Sequence, residues 1–149
     1  MAANTSPIYG RISDLQLGGA VIGTSANTAT DGTGANTFLL FTADSTEGSF
    51  VQSVRLKPIS TIAATVVRIW YCSATGAFSA GSTNTAANTT MIGEMSVAAW
   101  TASNTLASPV YELPINIALP ASTKILATFG TSTGAGTTGF NPLVMAMKY

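Results

Sequence analysis

The chain has 149 residues with 6 basic and 6 acidic side chains, so its net charge is zero and only 8% of its residues are charged. An ordinary soluble domain carries about 25% charged residues. The length supports one domain with its own core, and a hydrophobic share of 46% excludes the composition of a disordered chain. Its 23 Thr and 15 Ser residues replace charge at the surface, which suits a protein that packs against neighbours.

Several partners and chemistries are disfavoured by residue type alone. The six cations are scattered along the chain, which disfavours a nucleic-acid partner. No run approaches the roughly 18 consecutive apolar residues of a membrane span. Cys72 is the only cysteine, which excludes an internal disulfide and is compatible with synthesis in a reducing cytoplasm. Because histidine is absent, the commonest general base and metal ligand are missing, and we expect no enzyme, cofactor or metal site.

The first 18 residues are expected to form an extended N-terminal arm, followed by a domain over 19–149. In MAANTSPIYGRI, Pro7 stiffens an otherwise uncommitted segment, and Ile8 and Tyr9 are two anchors that could lie across a neighbouring molecule. Such an arm would become ordered only in an assembly.

Residues 23–36, GTSANTATDGTGAN, contain no large apolar side chain and raise the question of a phosphate cradle. A phosphate loop needs Lys and Ser or Thr after its last glycine, but Gly34 is followed by Ala35 and Asn36. Asp31 and Gly32 are better explained as a turn. The stretch is therefore expected to be a flexible connector before the first strong strand.

Apolar residues recur at period two in short runs, which predicts strands. In chain order the candidates are a weak one around GGAVIGTS, then 37–43, 53–59, 65–73, 90–97, 112–119, 123–130 and 143–149.

Two of these runs carry the fold prediction. TVVRIWYCS is apolar on both faces except at Arg68, which is typical of a central strand covered by the core on one side and by something else, such as a partner, on the other. In ELPINIAL four large apolar residues form one face opposite Glu112, Pro114, Asn116 and Ala118, and Pro114 places this strand at a sheet edge or beside a bulge. About eight such strands with long Ser/Thr/Gly loops predict an all-β, single-domain β-sandwich, of which the jelly roll is one form.

The loops between the strands hold the candidate contact residues. Phe78 lies in the loop 74–89, and Trp100 lies in VAAWTAS, which could form a turn of helix; we expect both rings to contact a partner. A carboxylate pair for glycoside hydrolysis would require Glu94 and Glu112 on neighbouring strands, but both are expected to be solvated. ADSTEG is expected to be an ordinary hairpin turn, with too few oxygen ligands for calcium.

Taken along the chain, these segments resemble a family of small β-rich virion proteins of tailed bacteriophages. The resemblance rests on MAANTSPI, SANTATDGTG, FTADSTEGSFVQSVRLKP, VVRIWYC, GEMSV before a tryptophan-containing loop, and ELPINIALPASTKILATFG. In that family a short Asp-Gly or Asn-Gly hairpin follows the VRIWYC-like strand, whereas here ATGAFSAGSTNTAANT is longer.

The resemblance implies a structural role on the virion, as a decoration or cement protein that binds the major capsid protein lattice on the outer surface of the head. It also implies a homo-oligomer, and a trimer suits a lattice with local threefold points. The alternative is a tail, collar or fibre module that binds a host glycan through its loops, for which Trp100 or Phe78 would be the stacking platform.

Overall fold

The computed structural model describes residues 10, 12–17, 22–134 and 138–149, and all of its regular elements are β-strands. The strands are β1 (Ile12–Ser13), β2 (Gln16–Leu17), β3 (Phe38–Thr42), β4 (Ser49–Pro58), β5 (Thr65–Cys72), β6 (Thr89–Val97), β7 (Tyr111–Leu119), β8 (Lys124–Phe129) and β9 (Phe140–Lys148). The short β1 and β2 both pair with β9, so they act as one interrupted strand.

The strands form two antiparallel sheets, which confirms the predicted all-β sandwich. Sheet A has the order β1-β9-β4-β7, with β2 also on β9, and sheet B has the order β3-β8-β5-β6. The antiparallel pairs are nested along the chain: β5 with β6, β4 with β7, β3 with β8, and β1 and β2 with β9. A ribbon of nested pairs that alternate between two sheets is the connectivity of a jelly roll.

Seven of the eight predicted strands are confirmed, and the weak one around GGAVIGTS is not. Of that run, Ile22 makes only an isolated bridge to Phe140, while residues 18–21 lie outside the described residues. The edge strand is formed instead by β1 and β2, at residues that we had assigned to the arm. The expected helical turn in VAAWTAS is also wrong, because Trp100 exchanges two backbone hydrogen bonds with Ile62, at 2.9 and 3.1 Å.

Strand β7 has the alternation and the position that its sequence predicts. Its residues are half-buried and exposed in turn, and it lies at the edge of sheet A. Its register against β4 shifts between the pairs Val51–Ile117 and Ser53–Pro114, which is the bulge expected near Pro114. Asn116 in this bulge has a φ of 51°, a conformation that asparagine tolerates better than most residues.

The main core lies between the two sheets. Each sheet contributes alternate residues of its strands, such as Val54, Leu56 and Val144 from sheet A and Val67 and Ile69 from sheet B, all fully buried. The rings of Phe129 in sheet B and Phe140 in sheet A stack with centroids 5.6 Å apart and so join the two layers.

The open edges of the sandwich are partly closed by side chains. On one side the Gln16 amide pairs with the backbone of Thr42 in β3, donating to its carbonyl at 2.9 Å and accepting from its N–H at 3.0 Å. On the other side Gly93 of β6 lies so close to Leu113 of β7 that a side chain on Gly93 would clash. These contacts link the two sheets along both edges of the sandwich.

Candidate functional site

The outer face of sheet B carries a second, smaller apolar cluster. Trp70 and Cys72 of β5 and Leu126 of β8 point away from the main core, yet each is at most 1% exposed. Phe78 and Ala74 of the loop 73–88 pack over them. The apolar outer face of TVVRIWYCS predicted a second cover for this strand, and in the structure that cover is the protein's own loop 73–88.

One buried asparagine of this loop, Asn84, joins it to the segment 23–37, where a second buried asparagine, Asn27, shares one of its partners. The Asn84 amide donates to the carbonyls of Gly32, at 2.8 Å, and Gly34, at 3.2 Å, and to the Thr37 hydroxyl at 3.1 Å. Asn27 donates to the same hydroxyl at 3.2 Å. Because these buried polar groups satisfy one another, the loops form a fixed layer over sheet B.

The stretch GTSANTATDGTGAN is a packed loop rather than a flexible connector. Its Asp31 carboxylate accepts from the Thr33 N–H at 3.1 Å and from the Thr33 hydroxyl at 2.7 Å, which confirms the predicted turn. These hydrogen bonds hold the pKa of Asp31 below its ordinary value. Gly32 has a φ of 79° and lies against Thr89 and Trp70, so only glycine fits there.

A buried cation holds the start of the loop 73–88. Lys124 in β8 is 2% exposed, and its ammonium donates to the carbonyls of Ala74, at 2.7 Å, and Ser122, at 3.0 Å. Cys72 is fully buried beside Asn88, an environment typical of a small apolar residue rather than of a nucleophile.

Trp100 lies in a different place, at the end of the sandwich where β4 finishes. Its half-buried ring packs on the main core and lines a cleft of about 380 Å³ with Pro58, Ile59, Asn104 and Leu106. Phe78 and Trp100 therefore belong to separate clusters and build no common platform. Ile8 and Tyr9, the other predicted contact residues, lie outside the described residues.

The outer face of sheet A differs from that of sheet B because its apolar side chains stay partly exposed, although Gly10 lies against the side chain of Met147. Since Pro142, Val144 and Ala146 of β9 are buried, the alternating residues Leu143, Met145 and Met147 point outward. Met145 and Met147 line a cleft of about 360 Å³ with Ile12 and Leu15. Ile12 is 59% exposed and Leu15 is 58% exposed.

Sequence reasoning missed this surface although its signal is present. In NPLVMAMKY the residues are apolar on both faces of the strand, the same pattern that marked TVVRIWYCS as needing a second cover. We had treated the run only as another strand.

Farther along sheet A the outer face becomes charged. Glu112 of β7 accepts from Ser53, at 2.8 Å, and from two nitrogens of Arg55, at 3.2 and 2.9 Å. These hydrogen bonds, that from Ser53 foremost, lower the pKa of Glu112. Lys57 is exposed beside Asn141, and within the described ranges its ammonium has no ion-pair partner.

The two strand carboxylates do not form a catalytic pair. Glu112 belongs to sheet A, whereas Glu94 belongs to sheet B, where it faces the Arg68 guanidinium with a closest N–O distance of 3.9 Å. Among residues 10, 12–17, 22–134 and 138–149, no group of three or more Cys, Asp or Glu side chains could hold a metal ion. In the same ranges no helix is long and apolar enough to cross a membrane.

The comparisons with known proteins add no relative. No protein-family model, curated protein or solved structure matches this chain at a significant level.

Proposed function

We propose that this chain is a structural protein of a bacteriophage virion, of the decoration type, which binds the outer surface of the head shell and stabilises it. The observation that carries the proposal is the outer face of sheet A, where the outward apolar side chains of Leu143, Met145 and Met147 remain partly exposed. An apolar sheet face of this kind is a docking surface for another protein. The sequence resemblance indicates that the partner is the major capsid protein of the shell.

A repeated shell explains how so uncharged a protein could bind firmly. A modest contact at each of many identical sites gains avidity when several copies are linked, so we propose a homo-oligomer, with a trimer favoured. Zero net charge removes long-range repulsion between neighbouring copies on the shell. Synthesis would occur in the host cytoplasm and the final location would be the capsid surface.

The role is one of binding rather than catalysis. The carboxylates of Glu94 and Glu112 are on different sheets and each faces an arginine, so this pair does not place a general acid and a general base side by side.

The N-terminal arm is the second contact that we propose with the shell. Ile8 and Tyr9 precede β1, so deleting residues 2–9 would remove both anchors and leave the described strands of sheet A in place. We expect this deletion to weaken shell binding while the midpoint of thermal unfolding stays the same. Unchanged shell binding would refute the arm's role.

The direct test of the function is the copy number in purified virions, measured by quantitative mass spectrometry against the major capsid protein. We expect a number comparable with the capsid protein or a simple fraction of it. A few copies per particle would indicate a tail or collar component instead, and absence from the virion would refute the proposal.

The Trp100 cleft favours a second candidate function, a tail, collar or fibre module that binds a host glycan. Its lining combines an indole ring with the polar groups of Ser103, Asn104 and Ser108, which suits stacking and hydrogen bonding to a sugar. Since Trp70 is 1% exposed, a fluorescence change on titration with host polysaccharide would report on Trp100. The Trp100→Leu variant should then show no change, whereas a flat titration of the unaltered protein would exclude this function.

A further inference from the structure

The outer face of sheet A has a polarity that runs along its strands. Near one end Phe50 of β4 pairs with Met147 of β9 and with Ala118 of β7, forming an apolar row. Near the other end Arg55 pairs with Leu143, and Lys57 pairs with Asn141. A partner that covers the whole face must therefore be apolar at one end and polar at the other.

The charge at the polar end is positive. The outward charged residues of β4, β7 and β9 are Arg55, Lys57 and Glu112, so two cations and one carboxylate leave a net charge of +1. Glu112 already accepts hydrogen bonds from Arg55. The charge still to be matched is therefore that of Lys57.

A small cleft adjoins Lys57 on the outer face of sheet A. Arg55, Lys57, Asn141, Pro142 and Leu143 line a cleft of about 200 Å³. A carboxylate that entered this cleft would lie between the Lys57 ammonium and the Asn141 side chain, which can also donate a hydrogen bond. Aliphatic side chains of the same partner would then lie over Met145 and Met147.

We infer that the shell site bound by sheet A presents a carboxylate opposite Lys57 and aliphatic side chains opposite Met145 and Met147. This inference rests on the proposed function, because it describes the partner surface of that same docking face. A carboxylate in this position would fix the orientation of the bound protein, since a partner turned around on the sheet would place its carboxylate over the methionines.

The test is binding to shells from which the protein has been stripped, at several salt concentrations, with three variants. Lys57→Met removes one positive charge from the docking face. Ser82→Glu is its matched control, because it changes the net charge by the same amount at an exposed position in the loop over sheet B. Lys57→Glu places a negative charge opposite the expected carboxylate.

We expect Lys57→Glu to weaken binding about tenfold or more and Lys57→Met by a smaller factor, because like charges across an interface repel more than a missing charge costs. Lys57→Met should also flatten the salt dependence, and Ser82→Glu should stay within about twofold of the unaltered protein. If Lys57→Met and Ser82→Glu behave alike while the unaltered protein binds, the carboxylate inference is refuted and the proposed function stands. If the unaltered protein does not bind stripped shells, both are refuted.

Discussion

The outer faces of the two sheets both carry apolar side chains, but those on sheet B are buried under loops and those on sheet A are partly exposed. On sheet B, Trp70 is 1% exposed beneath the loops 23–37 and 73–88, whereas on sheet A, Met147 is 37% exposed. Both loops are rich in Ser, Thr, Asn and Gly, and the hydrogen bonds between them lie over an apolar strand. The comparison teaches that composition alone does not distinguish a covered sheet face from an open one, because the difference depends on which loops pack over the face.

The largest expected effect is the loss of a buried ring on sheet B. Trp70→Ala should lower the free energy of unfolding by about 3–5 kcal/mol, because it leaves a large cavity under the loops. It would also leave the Thr128 hydroxyl without the indole N–H, which donates to it at 2.9 Å. Urea denaturation measures the change.

The matched control lies on the opposite face. Met147→Ala removes a side chain that is already partly solvated, so we expect a loss below about 1 kcal/mol. Comparable losses for the two variants would contradict the difference between the faces.

The next effect concerns the hydrogen bonds that hold the loops together. Asn84→Ala should lower the free energy of unfolding by about 1–3 kcal/mol, since the carbonyls of Gly32 and Gly34 and the Thr37 hydroxyl lose a buried donor. Hydrogen exchange of the loops 23–37 and 73–88 should accelerate. Asn141→Ala, at an exposed position on sheet A, is the control and should leave both measurements unchanged.

A smaller change in stability is expected when the pH titrates the ion pair of Asp44 and Lys148 at the end of sheet A. The Lys148 ammonium lies 2.8 Å from Asp44, and together with the N–H groups of Glu47 and Thr46 it holds the pKa of Asp44 well below its ordinary 3.8. The same contact raises the pKa of Lys148 above 10.5.

The sign of the pH dependence follows from these two directions. Because the pKa of Asp44 is lower in the folded state than in the unfolded state, its ionised form stabilises the fold at pH values above the unfolded pKa of about 3.8. This stabilisation is lost as the pH falls from about 3.8 toward the pKa of the folded state. For Lys148 the stabilisation is lost as the pH rises above about 10.5. Thermal unfolding of Asp44→Asn should therefore depend less on pH below 4 than that of the unaltered protein. Parallel curves would contradict this assignment.

The smallest effect should come from the exposed ion pairs, one on each sheet. Glu112→Gln is expected to cost less than about 1 kcal/mol, because its partner Arg55 is partly solvated. Glu94→Gln should cost still less, since Arg68 lies 3.9 Å from the Glu94 carboxylate. Urea denaturation at low and high salt would show whether the loss in free energy of unfolding caused by Glu112→Gln becomes smaller at high salt. It would also show whether Glu94→Gln costs less than Glu112→Gln.

Much of the fold could be predicted from local patterns. The alternation in ELPINIAL and the proline within it placed β7 at an edge with a bulge, and the two apolar faces of TVVRIWYCS placed β5 in the middle of a sheet. These features depend on the two-residue alternation of side chains along a strand and on the lack of a backbone N–H donor in proline, and both can be read from a single segment.

The remaining features depend on contacts between distant residues. The paired segments β1 and β2 have two residues each, too short for any periodicity, and they exist because β9 lies beside them. Likewise, Asn84 and Thr37 are 47 positions apart, and nothing in either loop predicts that they meet. The two apolar faces of NPLVMAMKY are visible in the sequence, but which outer sheet face stays open depends on where the loops pack.

The measurement that tests the central claim most directly is methionine oxidation in free protein and in intact virions, followed by mass spectrometry. Met147 on sheet A and Met91 on the outer side of sheet B are 37% and 38% exposed, so they should oxidise at similar rates in the free protein. In virions we predict that Met147 becomes protected while Met91 does not. Equal oxidation of both in virions, or protection of Met91 alone, would contradict the claim that sheet A faces the shell.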